Sequence, residues 1–152
     1  MTILHVHSAK VQEAWTDHYN HMNEGYYVVA FSDASWALQA ELGIGTDYFD
    51  VSGMAMMTVE SHIRYLDGAY LGDTIDFDSL ILDADAKRVH VGHVARLGET
   101  AIATFECLLL HYDTKNEKTA PMPEATQARL NSLIVDPRPD WSGSMVGIRR
   151  KG

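Results

Sequence analysis

The run Asp17-His18-Tyr19-Asn20-His21-Met22-Asn23-Glu24-Gly25-Tyr26-Tyr27 sets carboxylates, imidazoles, amides and tyrosines side by side. Directly behind it, apolar or small residues recur at Tyr27, Ala30, Phe31, Ala34, Leu38 and Leu42, the spacing of one helix face. Asn23 suits the N-cap of that helix and Gly43 its C-terminal stop. A polar loop feeding a buried helix start offers unpaired backbone N–H groups and a positive dipole end, next to side chains able to move protons. That combination stabilises an oxyanion. Taken singly, Asp17 and Asn20 could just shape a turn and Asn23 just cap, since these are the usual residues for both tasks. The density of the run favours chemistry.

The elements that must hold this loop read as one domain, residues 1–135, followed by a tail, 136–152, that is extended or mobile. A chain of 152 residues with 46% hydrophobic content can build a real core. Residues 3–15 read as a first strand. After the helix, Gly43-Ile44-Gly45 breaks the pattern, and Thr46–Asp50 can form one short helical turn. From Met54 the period changes to two. Ala55, Met57, Val59, Ile63 and Tyr65 then fall on one face, against Thr58, Glu60, His62 and Arg64 on the other. Further strands follow at Thr74–Ala84, Lys87–Leu97 and Thr100–Tyr112, the last almost continuously apolar and so covered on much of both sides. A last helix opens near Pro121-Met122-Pro123, with Leu130, Leu133 and Ile134 on one side. This order fits an α+β fold: one long helix wrapped by a five-stranded, mainly antiparallel sheet. The open strand edges call for a dimer that continues the sheet, with a tetramer as the further option.

The formal net charge of −9 disfavours nucleic acid and anionic membrane as partners. No apolar run approaches the ~20 residues a membrane span requires, and the N-terminus lacks the pattern of a signal peptide. A single cysteine, Cys107, agrees with a reducing compartment, so the expected location is the cytoplasm. Metal is not expected. His5/His7, His18/His21 and His90/His93 lack a further ligand at set spacing, and on a strand positions 90 and 93 point to opposite faces. No Gly-x-Ser-x-Gly elbow is present, and Cys107 lies within an apolar strand, which argues against Ser or Cys nucleophiles.

Asp17, then Asn20-His21-Met22-Asn23, then Tyr27, resembles the Asp-x-x-Gly-His-Val-Asn-Asn-x-x-Tyr motif of hotdog-fold acyl-CoA thioesterases of the 4-hydroxybenzoyl-CoA thioesterase type. The element order matches over residues ~3–135. Asn20 stands where the family usually has Gly, a replacement that a left-handed turn tolerates, and Glu24 replaces the second Asn. The blocks His21–Glu24, Phe31–Ser35, Thr58–Leu66, Asp85–His90 and Leu110–Thr114 are similar to betainyl-CoA thioesterases of bacterial carnitine breakdown, which occur alone or fused to carnitine dehydrogenase. No dinucleotide-binding fingerprint is present, so the stand-alone form is expected.

The resemblance implies hydrolysis of a small acyl-CoA thioester, with CoA as part of the substrate and no separate cofactor. It makes Asp17 the catalytic carboxylate, either as general base on water or as nucleophile through an anhydride. The Glu24 N–H would polarise the thioester carbonyl. His21 and Asn23 would hold the loop and orient Asp17. A betainyl group ends in a quaternary ammonium, which aromatic faces and carboxylates bind. Tyr26, Tyr27 and Trp36 are the expected aromatics and Glu60 the anionic partner, although core packing and a solvated strand face account for the same residues. Lys87 and Arg88 are expected on the CoA phosphates, or else form an exposed hairpin end. The other readings are a general small or aromatic acyl-CoA thioesterase, a hotdog hydratase or dehydratase, and an acyl-CoA binding module without catalysis.

Overall fold

An antiparallel sheet curls around the long helix in the computed structural model, which describes residues 1–143 and Val146. In chain order the elements are β1 (Leu4–Lys10), a 3-10 turn (Glu13–Trp15), α1 (Glu24–Glu41), α2 (Thr46–Ser52), β2 (Met54–Tyr65), β3 (Thr74–Ala84), β4 (Arg88–Leu97), β5 (Thr100–Asp113), β6 (Lys118–Thr119) and α3 (Glu124–Leu133). The sheet runs β1-β3-β4-β5-β2, and the short β6 folds back onto β5. Every strand pair is antiparallel. The expected sheet therefore gains a sixth, two-residue strand. The expected first strand is cut short at Lys10, because the Val11 N–H turns to Asp73 O and Trp15 N–H closes a turn on Gln12 O.

α1 forms where the spacing placed it. Asn23 caps it by accepting the Gly25 N–H through its side chain at 3.0 Å. At the other end Leu42 is the C-cap, and Gly43 follows with φ +75°. Gly43 N–H reaches Ala40 O and Ile44 N–H reaches Gln39 O, the paired bonds of a Schellman stop. The buried face of α1 is Tyr27, Ala30, Phe31, Ala34, Ser35, Leu38 and Gln39. At its centre the Phe31 ring stacks on Phe105 with centroids 5.0 Å apart and meets Phe77 edge-on at 5.4 Å. Yet Val28, Val29 and Trp36 lie on the exposed side, so α1 carries apolar groups on two faces.

The strict alternation expected along β2 fails at Val59. Thr58 pairs with Leu109, but Glu60 pairs with Leu108, leaving Val59 as the extra residue of a bulge. Paired residues share a face, so the parity reverses there. Ile63 and Tyr65 pair with Phe105 and Ala103 on the helix side, whereas Ala55 and Met57 pair with Tyr112 and Leu110 and belong to the outer side. Glu60 and His62 join that outer side, lining a recess with His90 and Glu106.

Both sides of β5 are covered, for different reasons. Phe105, Cys107 and Leu109 pack in the core with α1. Glu106, interrupting the apolar run, is buried on the outer side. Its Oε2 lies 2.8 Å from His90 Nε2 and accepts the Gly143 N–H at 2.8 Å. That last contact comes from the chain beyond α3. Where an extended or mobile tail was expected, residues 136–143 dock on the outer face, with Trp141 packed against the cluster of Leu80, Leu82 and Val135. Gly92 makes room for it, since a Cβ there would come within 2.6 Å of Trp141 Cη2. The rest of that expectation, residues 144, 145 and 147–152, lies outside the described residues. Among the described residues no helix is long and apolar enough to cross a membrane.

Candidate active site

The loop from Thr16 to Met22 is closed on itself by backbone bonds. Thr16 bridges Met22, Asp17 N–H donates to His21 O at 2.9 Å, and Asn20 N–H donates to Asp17 O at 3.0 Å. Asn20 takes φ +60°, the left-handed turn its short polar side chain tolerates. The loop is then pinned to its surroundings. Met22 N–H donates to Ala69 O, Asn23 N–H donates to Trp15 O, and His21 bridges Tyr70.

Inside this frame Asp17 Oδ1 accepts the Tyr19 N–H at 2.9 Å and the His21 N–H at 3.3 Å. Among the described residues Oδ2 makes no hydrogen bond, so one oxygen holds the loop and the other has no partner within it. The same division holds at the helix start. Gly25 N–H is taken by Asn23 Oδ1 and Tyr26 N–H by Asn23 O, while Glu24 N–H has no acceptor among the described residues. A carboxylate oxygen and a backbone donor at a positive dipole end are thus both unsatisfied within one short loop.

His21 supports the loop through its backbone. Its exposed ring makes no hydrogen bond among the described residues and instead meets Tyr70 edge-on at 4.7 Å. Tyr26, 36% exposed, lies nearly parallel to Trp15 with centroids 6.2 Å apart. Two tyrosines that periodicity did not single out also touch the site. Tyr65, at the end of β2, donates its hydroxyl to Glu24 O at 3.0 Å, and Tyr70 is the His21 partner just named. Their links span long stretches of sequence, 41 residues for the Tyr65 bond, so no local pattern could have revealed them.

The remaining expected residues do not converge on this loop within one chain. Tyr27 is a core residue, 4% exposed, with its ring edge-on to Tyr65 and its hydroxyl near Asp67 O. Burial raises its phenol pKa, the Ala69 backbone bond only partly offsetting this. Trp36 is exposed but twelve residues along α1 from Glu24, or ~18 Å at 1.5 Å per residue. Glu60 is on the outer face, opposite Tyr65, and its partner Leu108 is five positions along β5 from Tyr65's partner Ala103, ~17 Å. Arg88 pairs with Leu110, further still along β5. Its guanidinium is also already engaged, with Nε 2.7 Å from Asp85 Oδ2. That bond raises the Arg88 pKa and lowers that of Asp85. Lys87 caps the same hairpin through its N–H to Asp85 Oδ1. These residues can serve Asp17 only through a long ligand or from a second copy of the chain.

Other chemistries are poorly placed. Burial pushes the Cys107 thiol up to about 11, so it is no nucleophile at neutral pH. His90 and His93 face opposite sides of β4, one at Glu106 and the other between Ser35 and Ser79. Among the described residues no cluster of three or more His, Cys, Asp or Glu could hold a metal ion.

A model of the thioesterase-like superfamily matches residues 11–130. The chain is similar to an L-carnitine dehydrogenase/betainyl-CoA thioesterase from Agrobacterium fabrum, 38% identical across 96% of this chain and 30% of that protein. It thus spans under a third of the length of that two-activity relative. It is also similar to a betainyl-CoA thioesterase from Pseudomonas aeruginosa, 28% identical across 96% of both. Among solved structures, a protein from Staphylococcus aureus in complex with CoA superposes with TM-score 0.87 at 23% identity, covering 98% of each chain. A protein from Pseudomonas putida KT2440 superposes with TM-score 0.82 at 29% identity, covering 99% of each. With its curled sheet, its long helix and a polar loop at the helix start, the chain belongs to the thioesterase-like superfamily and has the hotdog fold.

Proposed function

We propose that this protein hydrolyses a small acyl-CoA thioester, with betainyl-CoA as the substrate and betaine and CoA as the products. The observation that carries the reading is the pairing of unsatisfied groups in one loop, Asp17 Oδ2 and the Glu24 N–H. In the general-base route Asp17 takes a proton from water as the oxygen adds to the thioester carbon. The carbonyl oxygen becomes an oxyanion against the Glu24 N–H at the helix start. Collapse breaks the C–S bond, and the CoA thiolate leaves and takes up the proton. In the nucleophilic route Asp17 itself adds, and water then cleaves the mixed anhydride. Both routes use the same two groups.

The working unit is a dimer that extends the sheet along β2, an edge strand with Met57 40% and Val59 54% exposed. A dimer would also bring a partner's Glu60 and Trp36 within reach of a site they cannot meet in their own chain. The CoA phosphates fit the part of the chain from Lys87 onward, which holds ten of the twelve Lys and Arg residues. A reducing, cytoplasmic setting suits the buried free thiol of Cys107.

The test is release of free thiol from a panel of acyl-CoA thioesters, together with binding and hydration assays on the same compounds. Hydrolysis of betainyl-CoA above other small acyl groups supports the proposal. Binding without thiol release would make the protein a binding module, and addition of water to an enoyl-CoA would make it a hydratase.

A further inference from the structure

The structure leaves tyrosine rings in water around the loop that carries Asp17. Tyr19 is 69% exposed, Tyr70 52%, Tyr65 47% and Tyr26 36%. Two of them have a ring face occupied locally, Tyr26 by Trp15 and Tyr19 by its neighbour His18. Tyr65 and Tyr70 are held differently. Tyr65 is fastened by its hydroxyl to Glu24 O, the carbonyl of the first residue of α1, and stands perpendicular to the buried Tyr27 with ring centroids 5.2 Å apart. Tyr70 is held by its backbone bridge to His21 and an edge contact with the His21 ring. Each is fixed at the rim of the candidate site while about half its surface remains open. A ring held in this way binds without first being ordered.

The part of the chain that supplies this site is acidic. From Val11 to Ala86 there are fourteen Asp and Glu and a single basic residue, Arg64; Glu41, Asp78, Asp83 and Asp85 pair with arginines from later in the chain. Asp17 lies in the loop itself, and burial together with the nearby Glu24 carboxylate raises the Tyr65 phenol pKa. Open aromatic faces in a negative field suit a group that is cationic, apolar on its surface and unable to donate hydrogen bonds. A quaternary ammonium is such a group.

We infer that Tyr65 and Tyr70 are the specificity-determining residues of this site, presenting their ring faces to the cationic end of the acyl group. The inference rests on the hydrolase reading above and assigns the selectivity to residues other than Tyr27, Trp36 and Glu60. Tyr65 has a second, separable task, since its hydroxyl also fixes the first turn of α1.

The test compares kcat/KM for betainyl-CoA with that for 3,3-dimethylbutanoyl-CoA, in which tert-butyl replaces trimethylammonium at nearly equal volume. The wild type should prefer the cationic thioester. Tyr65→Leu and Tyr70→Leu should each lower that preference by about three- to tenfold, on top of any change in rate common to both substrates. Tyr65→Phe and Tyr70→Phe keep the ring and should keep the preference, and loss of the Glu24 bond in Tyr65→Phe should lower kcat on both substrates alike. Leu variants with unchanged preference would overturn the assignment and leave the betainyl-CoA reading standing. Equal constants for the two thioesters in the wild type would overturn the assignment together with the betainyl group, leaving the hydrolase reading intact. Leu variants that lose folding or assembly, judged by circular dichroism and light scattering, while the Phe variants show no cationic preference would also overturn it.

Discussion

At Asp17 the proposed reaction gives one carboxylate two jobs, and they can be separated. Oδ1 accepts two loop N–H groups and Oδ2 remains for the substrate or water. Asp17→Asn keeps a carbonyl oxygen for the Tyr19 and His21 N–H groups but removes the charge and the proton acceptor. We therefore predict that the loop and fold survive while kcat falls by about 10²-fold or more, the usual contribution of a positioned acid or base. Steady-state kinetics beside a circular dichroism spectrum checks this, and a variant keeping over about a tenth of the rate would remove Asp17 from the chemistry. The loop itself was legible in the sequence because it is local, with every hydrogen-bond partner of Asp17 within four residues. Tyr65 and Tyr70 were not, since they reach the same loop from β2 and from the connection after it.

For the elements, what sequence periodicity could give was the helix. Tyr27, Ala30, Phe31, Ala34 and Leu38 are all buried as their spacing required, and Asn23 and Gly43 bound the helix from the two sides. β2 was harder to read, because a bulge inserts one residue without any change in composition, and Val59 is as good a strand residue as its neighbours. One shifted residue moved Ala55 and Met57 to the outer face and Thr58 to the helix side, while Glu60 and His62 stay opposite Ile63 and Tyr65 as their spacing required. The N-cap offers a prediction on this scale. Asn23→Ala removes the acceptor of the Gly25 N–H and should cost about 1 kcal/mol of stability, seen as a lower denaturation midpoint. It also leaves a second free donor beside the Glu24 N–H and loosens the turn that aims it, so kcat should fall with KM little changed. A variant with unaltered midpoint and unaltered kcat would show that the cap does neither.

Across the whole molecule, the exposed apolar groups on β2 and on the outer side of α1 predict an assembly, and light scattering over a dilution series should find no active monomer. Stability against pH is set deeper, at a histidine in the middle of the sheet. His93 is 0% exposed, with Nδ1 2.8 Å from Ser79 Oγ and Nε2 2.9 Å from Ser35 Oγ, and the rings of Phe31 and Phe105 beside it. The two hydroxyls satisfy a neutral imidazole, and no carboxylate is among its hydrogen-bond partners to balance a positive one. Burial accordingly lowers its pKa from 6.5 to about 3. The unfolded chain then binds a proton below about pH 6.5 that the folded chain refuses until near pH 3. The stability this histidine allows is complete above pH 6.5 and declines as pH falls, at up to ~1.4 kcal/mol per unit. Between pH 7 and pH 5 the loss should amount to about 2 kcal/mol. His93→Gln keeps an uncharged donor and acceptor for the two serines and has nothing to titrate, so its stability should change less over that interval. Urea denaturation of both proteins at the two pH values measures the difference, and identical pH slopes for wild type and variant would mean that His93 takes up its proton inside the fold as readily as outside it.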